Sequence, residues 1–402
     1  MSLTKKVNLQ FAAVQSSFWI TFFPIAGFAV VLLQSRHFTD SEIGIILALQ
    51  SVSSIIAQPL ISTFAGKNPQ IPLKKIITAM LLIGAGFASI LFFLPHIFLP
   101  AAIIFICIGM TEMSAPSLMN AVAMQLTNAG IPVNYGVARG IGSISYALAG
   151  LALGKLVDIS GVSVIVPVFV IAILITSFFI MRLYVPAVSK DPADISANNA
   201  SAIPQTSIWT FLRNNKTYTG FCFASIFLFA SHSCINNFLP NIMNSLGGSL
   251  TDQGITRSLA ACVELPIMFF YSVLSRHVSS HKLLTISAFS FFLKAFATML
   301  VPSVGFLFAA QIFQMPAFGL YTPSAVHFSD RSVANADRIR SQAISMVAGV
   351  GIGYVIGNLG GGFILDAWGL KSMLLTSTIL GFIGFAIMFV VLFEKKPKVR
   401  RE

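Results

Sequence analysis

Apolar residues in this chain come in runs of about twenty or more, broken by short clusters of Gly, Pro and charge. A helix needs about 20 mostly apolar residues to cross a bilayer. Twelve stretches meet that length, near 10–33, 43–65, 74–94, 99–125, 135–157, 163–185, 216–245, 254–275, 282–302, 305–328, 339–364 and 370–393. Backbone polar groups in lipid must be satisfied within the segment, so runs of this length predict helices. The expected fold class is an all-α integral membrane protein with twelve transmembrane helices. Between the sixth and seventh runs, 186–215 is rich in Ala, Ser, Asn, Asp and Pro, the composition of a flexible linker. The expected organisation is an N-terminal six-helix half over 1–185, a cytoplasmic linker over 186–215, and a C-terminal six-helix half over 216–402 ending in a short basic tail.

The halves echo each other. Gly154, Asp158 and Gly161 close the fifth run, and Gly362, Asp366 and Gly369 close the eleventh at a constant offset of 208, which also carries Tyr146 onto Tyr354. An offset of 207 carries Pro116-Ser117 onto Pro323-Ser324 and Pro59 onto Pro266. Together these matches predict a duplicated unit, two pseudo-symmetric halves about an axis along the membrane normal, with solute bound between them.

Composition supports the membrane reading: the chain is 56% hydrophobic and 9% charged, with mean hydropathy +0.85. A net charge of +12 would point to nucleic acid in a soluble protein. Here the basic residues sit in short clusters between apolar runs, where they set topology. With the N-terminus inside, nineteen of the 25 Lys and Arg residues fall on inner segments, Arg36, Lys155, Arg257 and Lys371 on outer ones, and Arg139 and Lys294 within spans. The expectation is a multi-pass, monomeric protein of a bacterial inner or plasma membrane, both termini cytoplasmic, with the lipid bilayer and no nucleic acid as partner.

Cys107, Cys222, Cys234 and Cys262 lack metal-type spacing and read as small core residues. The glycines from Gly349 to Gly362 lack the flanking strand and acid of a nucleotide loop, and read as close helix packing. Neither a metal, a cofactor nor an enzymatic activity is expected.

Charge within a span is a functional hypothesis by default. Arg139 lies one turn into the fifth run, with Gly142 and Ser143 a turn further on and Tyr146 seven residues on, nearly in phase. A guanidinium, a small-residue floor and an aromatic ring on one face suit a polar, ring-shaped solute. The plainer alternative is that Arg139 reaches the headgroups and Tyr146 only packs. Glu264 precedes Leu265-Pro266 in the eighth run and is the leading candidate to load and release a proton. Glu112 in the fourth run and His232 in the seventh are the other proton-coupling candidates. Asn120, Asn236, Gln311, Gln314, Tyr354 and Asn358 can bond hydroxyls without charge, and Trp19 offers a second stacking face; for each the alternative is helix-to-helix bonding or packing.

Three segments, Thr39 to Leu60, Asn134 to Gly142 and Glu264 to Phe270, resemble the oligosaccharide/proton symporter group of the major facilitator superfamily, the group of lactose permease-like proteins. The resemblance covers nearly the whole chain. It implies that Arg139 binds sugar, Tyr146 stacks on its ring, Glu264 contacts sugar and couples to the proton, and Lys294 stands where the group keeps an arginine. The chain also departs from that group. Asn120 or Met119 stands where the span-four acid would be, and Gln311 and Gln314 replace a titratable His and Glu. The loop motif is reduced to Ala65-Gly66-Lys67-Asn68, without its acid.

The function implied is a secondary active transporter importing a sugar or sugar-like solute, with proton symport and alternating access; its partners are a small-molecule solute and a proton. The alternatives are a nucleoside, aromatic-acid or drug carrier of the same superfamily, and, from another class, a non-transporting membrane sensor.

Overall fold

The computed structural model describes residues 2–186, 207–334 and 337–393. Sixteen α-helices are used below: α1 (Leu3–Gln34), α2 (Asp40–Lys67), α3 (Leu73–Phe93), α4 (Phe98–Thr111), α5 (Ala115–Asn128), α6 (Tyr135–Ser160), α7 (Ile165–Arg182), α8 (Ile208–Asn214), α9 (Lys216–Asn237), α10 (Leu239–Ser245), α11 (Leu250–His277), α12 (Ser280–Leu300), α13 (Val304–Ala310), α14 (Leu320–Ser332), α15 (Arg338–Met346) and α16 (Tyr354–Phe393).

Among the described residues, eleven helical stretches are long and apolar enough to cross a membrane. The last of them, Arg340–Leu392, turns at Gly369, where φ is 77°, so the chain makes twelve crossings. Gly161, φ 84°, turns the chain in the same way after α6. Both positions lie in the left-handed region that favours glycine, and they are the twofold-related glycines of the sequence repeat.

Several sequence expectations are corrected. The first helix begins at Leu3, well before 10, capped by Ser2. The seventh run is not one helix over 216–245: α9 ends at Asn237 and Pro240 opens the separate helix α10, a position proline favours. The linker is not wholly irregular, since α8 occupies 208–214; the rest of it, 187–206, and the basic tail from 394 lie outside the described residues. Cys262 is exposed and Cys107 half-buried, so only Cys222 and Cys234 are core residues.

Helix ladders are interrupted in three crossings. The fourth breaks over Glu112–Ser114, before Pro116. The tenth passes from α13 through a tight turn at Gln311–Phe313 and a wide one at Met315–Gly319, containing Pro316. The eleventh is wide over Val347–Gly353. Proline removes a ladder donor, and such deviations cluster at functional sites. Most of the glycine series packs closely, Gly349 and Gly353 against Phe229, Gly351 against Ile55, and Gly361 against Phe238 and Cys234, while Gly360 faces open space.

Among the described residues, the hydrogen bonds between the halves are concentrated toward one end of the molecule. Asp158 accepts from the backbone N–H of Leu250 (3.1 Å) and Thr251 (2.8 Å) and from the Thr251 hydroxyl. Asp366 accepts from the N–H of Asp40 (3.1 Å) and Ser41 (2.7 Å). Each carboxylate thus seats on a helix N-terminus of the opposite half, where the backbone donors are free and the dipole favours an anion. Those helices start alike, with capping boxes Thr39/Glu42 and Ser249/Asp252. Asn241 donates to Asp40 and Gln253 to the Gly27 carbonyl at the same end, and Ser258 donates to the Ala147 carbonyl nearer the middle of α6. The other end has no such ties among the described residues.

Candidate functional site

Beneath the sealed end a cavity of about 420 Å³ lies between the halves, lined by spans one, two, four and five on one side and seven, eight, ten and eleven on the other. On the N-terminal side, α6 presents Arg139, Ser143 and Tyr146 to it, the stripe read from the sequence. The Arg139 guanidinium lies 3.8 Å from the ring centre of Trp19 and donates to the Ser143 hydroxyl at 2.7 Å. Trp19 donates its indole N–H to Gln15 at 3.2 Å, which fixes the ring; a Cβ on Gly142 would meet that ring, so glycine there admits the indole. Tyr146 stands edge-on to Phe23, ring centres 4.8 Å apart. Trp19 therefore carries an arginine on its face as well as facing the cavity.

Across the cavity α11 presents Arg257, Ala260, Ala261 and Glu264. Arg257 corrects the sequence reading, which put it on an outer segment: it lies within the eighth crossing and donates to the Asn236 carbonyl at 2.5 Å. The signal was available. Arg257 and Glu264 are seven apart with small residues between them, the same spacing as Arg139, Gly142, Ser143 and Tyr146. Arg257 lies three residues inside the run at 254–275, close enough to the polar start Thr251-Asp252-Gln253 to be counted with the outer segment.

Glu264 accepts from the Gln314 amide at 2.6 Å, and the Gln314 carbonyl accepts from Lys294 Nζ at 2.5 Å. Lys294 is buried in α12 and also donates to Asn236 Oδ1 at 3.3 Å, while the Asn236 amide meets His232 Nε2 at 2.6 Å. The result is one polar chain, Glu264–Gln314–Lys294–Asn236–His232, drawn from four crossings. Such a network is stiff when satisfied and costly to break. Asn237 donates to Asn358 at 2.6 Å, and both face the cavity with Tyr354.

Four candidates lie outside the lining. His232 is buried behind it, stacked on Phe318 with ring centres 5.3 Å apart. Gln311 donates back to the Leu307 carbonyl at 3.1 Å, a bond within its own crossing. Asn120, in α5 beyond the break in span four, accepts from the Tyr135 hydroxyl at 2.7 Å. Glu112 is buried at that break, next to the lining residue Met113, with no partner for either carboxylate oxygen. Sequence reasoning also passed over Gln50, Ser51 and Ser54 of α2, which line the cavity.

A family model described as "MFS_1 like family" matches residues 16–376. A maltose permease of Geobacillus stearothermophilus is 23% identical over 376 residues, covering 93% of this chain and 91% of that protein. The uncharacterized transporter YwbF of Bacillus subtilis (strain 168) is 22% identical over 378 residues, covering 92% and 89%. Among solved structures, a mutant of the nucleoside transporter NupG superposes with TM-score 0.82 at 15% identity, covering 97% of this chain and all of that one. A bacterial homologue of the human lysosomal transporter Spinster, inward-facing and unoccupied, gives TM-score 0.69 at 13% identity, covering 98% of each. With a family match across most of the chain, relatives that are transporters, and the twelve-crossing fold with its central cavity, the chain belongs to the MFS_1-like family of the major facilitator superfamily and is a multi-pass membrane transporter.

Proposed function

We propose that the transporter imports a sugar or sugar-like solute together with a proton, across a bacterial inner or plasma membrane, with both termini cytoplasmic. The observation that carries this reading is the cavity's composition. Guanidinium groups and aromatic faces (Arg139, Trp19, Tyr146, Tyr354) adjoin neutral amides (Asn236, Asn237, Asn358), and a single acid, Glu264, faces them. Aromatic faces suit the apolar side of a pyranose, and amides suit its hydroxyls. With the N-terminus inside, the sealed end faces outward, and rocking of the halves about the cavity gives alternating access.

Glu264 is the proton carrier in this reading. Its amide partner Gln314 cannot titrate, and through it Glu264 is joined to the Lys294 ammonium. Solute binding and loading of Glu264 therefore act on one network, and unloading the proton at the inner side lets the empty protein return. In proteoliposomes under an imposed pH gradient, inside alkaline, the wild type accumulates solute. Glu264→Gln, fixed in a form resembling the protonated acid, retains solute exchange across the membrane and loses accumulation. Undiminished accumulation by Glu264→Gln would remove this residue from the coupling step.

A further inference from the structure

Three cations surround the cavity and one acid faces them. Arg139 and Arg257 line it from opposite halves, and Lys294 stands directly behind Asn236 and Gln314. Glu264 is the sole carboxylate among the lining residues. No carboxylate of the described residues lies within 4 Å of any of the three cations, since the ion pairs among those residues are His96–Glu42 and Arg340–Asp337, both remote. Glu112, a buried acid, is outside the lining.

Neutral groups hold the cations instead. Arg139 has a ring face and a hydroxyl. Lys294 has two amide oxygens. Arg257 has the Asn236 carbonyl and the Tyr146 hydroxyl beside it, and its Nε has no partner at all. Charges withdrawn from water are tolerated when an opposite charge meets them, and dipoles compensate only in part. A guanidinium fork is also shaped for two-point recognition of a carboxylate. Two such forks, one per half, face a cavity whose one carboxylate, Glu264, pairs with neither within 4 Å.

We infer that the solute supplies the pairing anion: the cavity selects a carboxylate-bearing sugar, a sugar acid of the hexuronate kind, over its neutral counterpart. The ring part of this assignment rests on the sugar reading above; the charge part rests on the cations alone. Held between Arg139 and Arg257, the carboxylate ties the halves together, so binding favours the state in which both approach it. One proton on Glu264 travelling with one carboxylate carries no net charge. Uptake is then driven by the pH gradient and unaffected by membrane potential, whereas a neutral sugar with a proton would respond to both.

The test is a thermal-shift and fluorescence titration of the purified full-length protein with matched pairs: glucose and glucuronate, galactose and galacturonate, uridine and uridine monophosphate. The acid of a hexose pair is expected to bind about tenfold tighter or more at low salt, as charge-assisted two-point contacts imply. Arg257→Gln narrows that gap to within about threefold, and Arg257→Lys restores part of it. Equal or tighter binding of the neutral hexose overturns the charge assignment. Preference for the uridine pair overturns the sugar reading, and the charge assignment then stands only if the monophosphate is the tighter of the two.

A second measurement needs no ligand and survives a poorly folding variant. Trp209 and Trp368 are 81% and 71% exposed, so Trp209→Phe with Trp368→Phe leaves Trp19 as the reporter beside Arg139. Iodide is expected to quench that tryptophan severalfold more strongly than caesium. Equal quenching by the two ions overturns the anion-selective cavity.

Discussion

Trp19 carries the Arg139 guanidinium on its ring face, 3.8 Å from the ring centre, on the N-terminal side of the cavity. A cation over an indole contributes about 0.5–2 kcal/mol, more when desolvated. Trp19→Leu keeps an apolar side chain and removes that face. Solute affinity is expected to fall about 3- to 30-fold, with Trp19→Phe losing less. In a double-mutant cycle with Arg139→Gln, the second substitution should cost far less than the first, because the indole acts through the guanidinium. Titration calorimetry of the four proteins checks this, and strictly additive losses would show that the two side chains meet the solute separately. Residues such as these were legible in the sequence because α6 is one unbroken helix from Tyr135 to Ser160, over which a seven-residue spacing keeps its phase. Arg257 carries the same spacing to Glu264 and was missed because, three residues inside the run at 254–275, it was counted with the outer segment.

At the level of elements, phase fails where helices break. Asn120 lies beyond the interruption at Glu112–Ser114, and Gln311 lies in the tight turn between α13 and the wide turn at Met315–Gly319. A rotation of 100° per residue cannot be carried through such turns, so the sequence alone does not say which face either residue takes. Proline marked the neighbourhood of both breaks without giving their angle. The twelve spans, by contrast, follow from run length alone, and Gly154 and Gly362 of the repeat follow from the need for close approach. A Cβ on Gly254 would press on the Gly150 carbonyl and come within 3.3 Å of the Gly154 Cα; one on Gly44 would press on the Asn358 carbonyl and come within 3.3 Å of the Gly362 Cα. Gly254→Val and Gly44→Val should therefore separate the halves at the sealed end while leaving each half folded. An Ala260→Cys reporter in the cavity wall is then expected to react faster with a membrane-impermeant maleimide added from the sealed side. Unchanged labelling in both variants would mean that the end stays shut without its glycine contacts.

For the whole molecule, the sealed end is one device used twice. Asp158 seats on the N-terminus of α11 and Asp366 on that of α2; the acids are 208 residues apart, and the helix starts they grip, Leu250-Thr251 and Asp40-Ser41, are 210 apart. The sequence repeat that announced the duplicated fold is thus the part of each half that holds the other. A carboxylate at a helix N-terminus contributes about 0.3–1 kcal/mol when exposed and up to about 2 kcal/mol when partly buried. Each latch alone therefore biases the equilibrium between sealed and unsealed states by a factor of about 2 to 30. Asp158→Asn and Asp366→Asn keep the shape and remove the charge. Because the latches are twofold copies gripping different helices, their effects should be similar in size, and the double variant should shift the equilibrium by about the product of the single shifts. Spin labels placed across the sealed end report the two populations as two distances. An opening in the double variant no larger than in either single one would mean that one latch carries the seal and the symmetry is only of shape. An opening equal to the product, together with weaker solute accumulation, would mean that the return step after release is set by how firmly these two carboxylates find their helix ends.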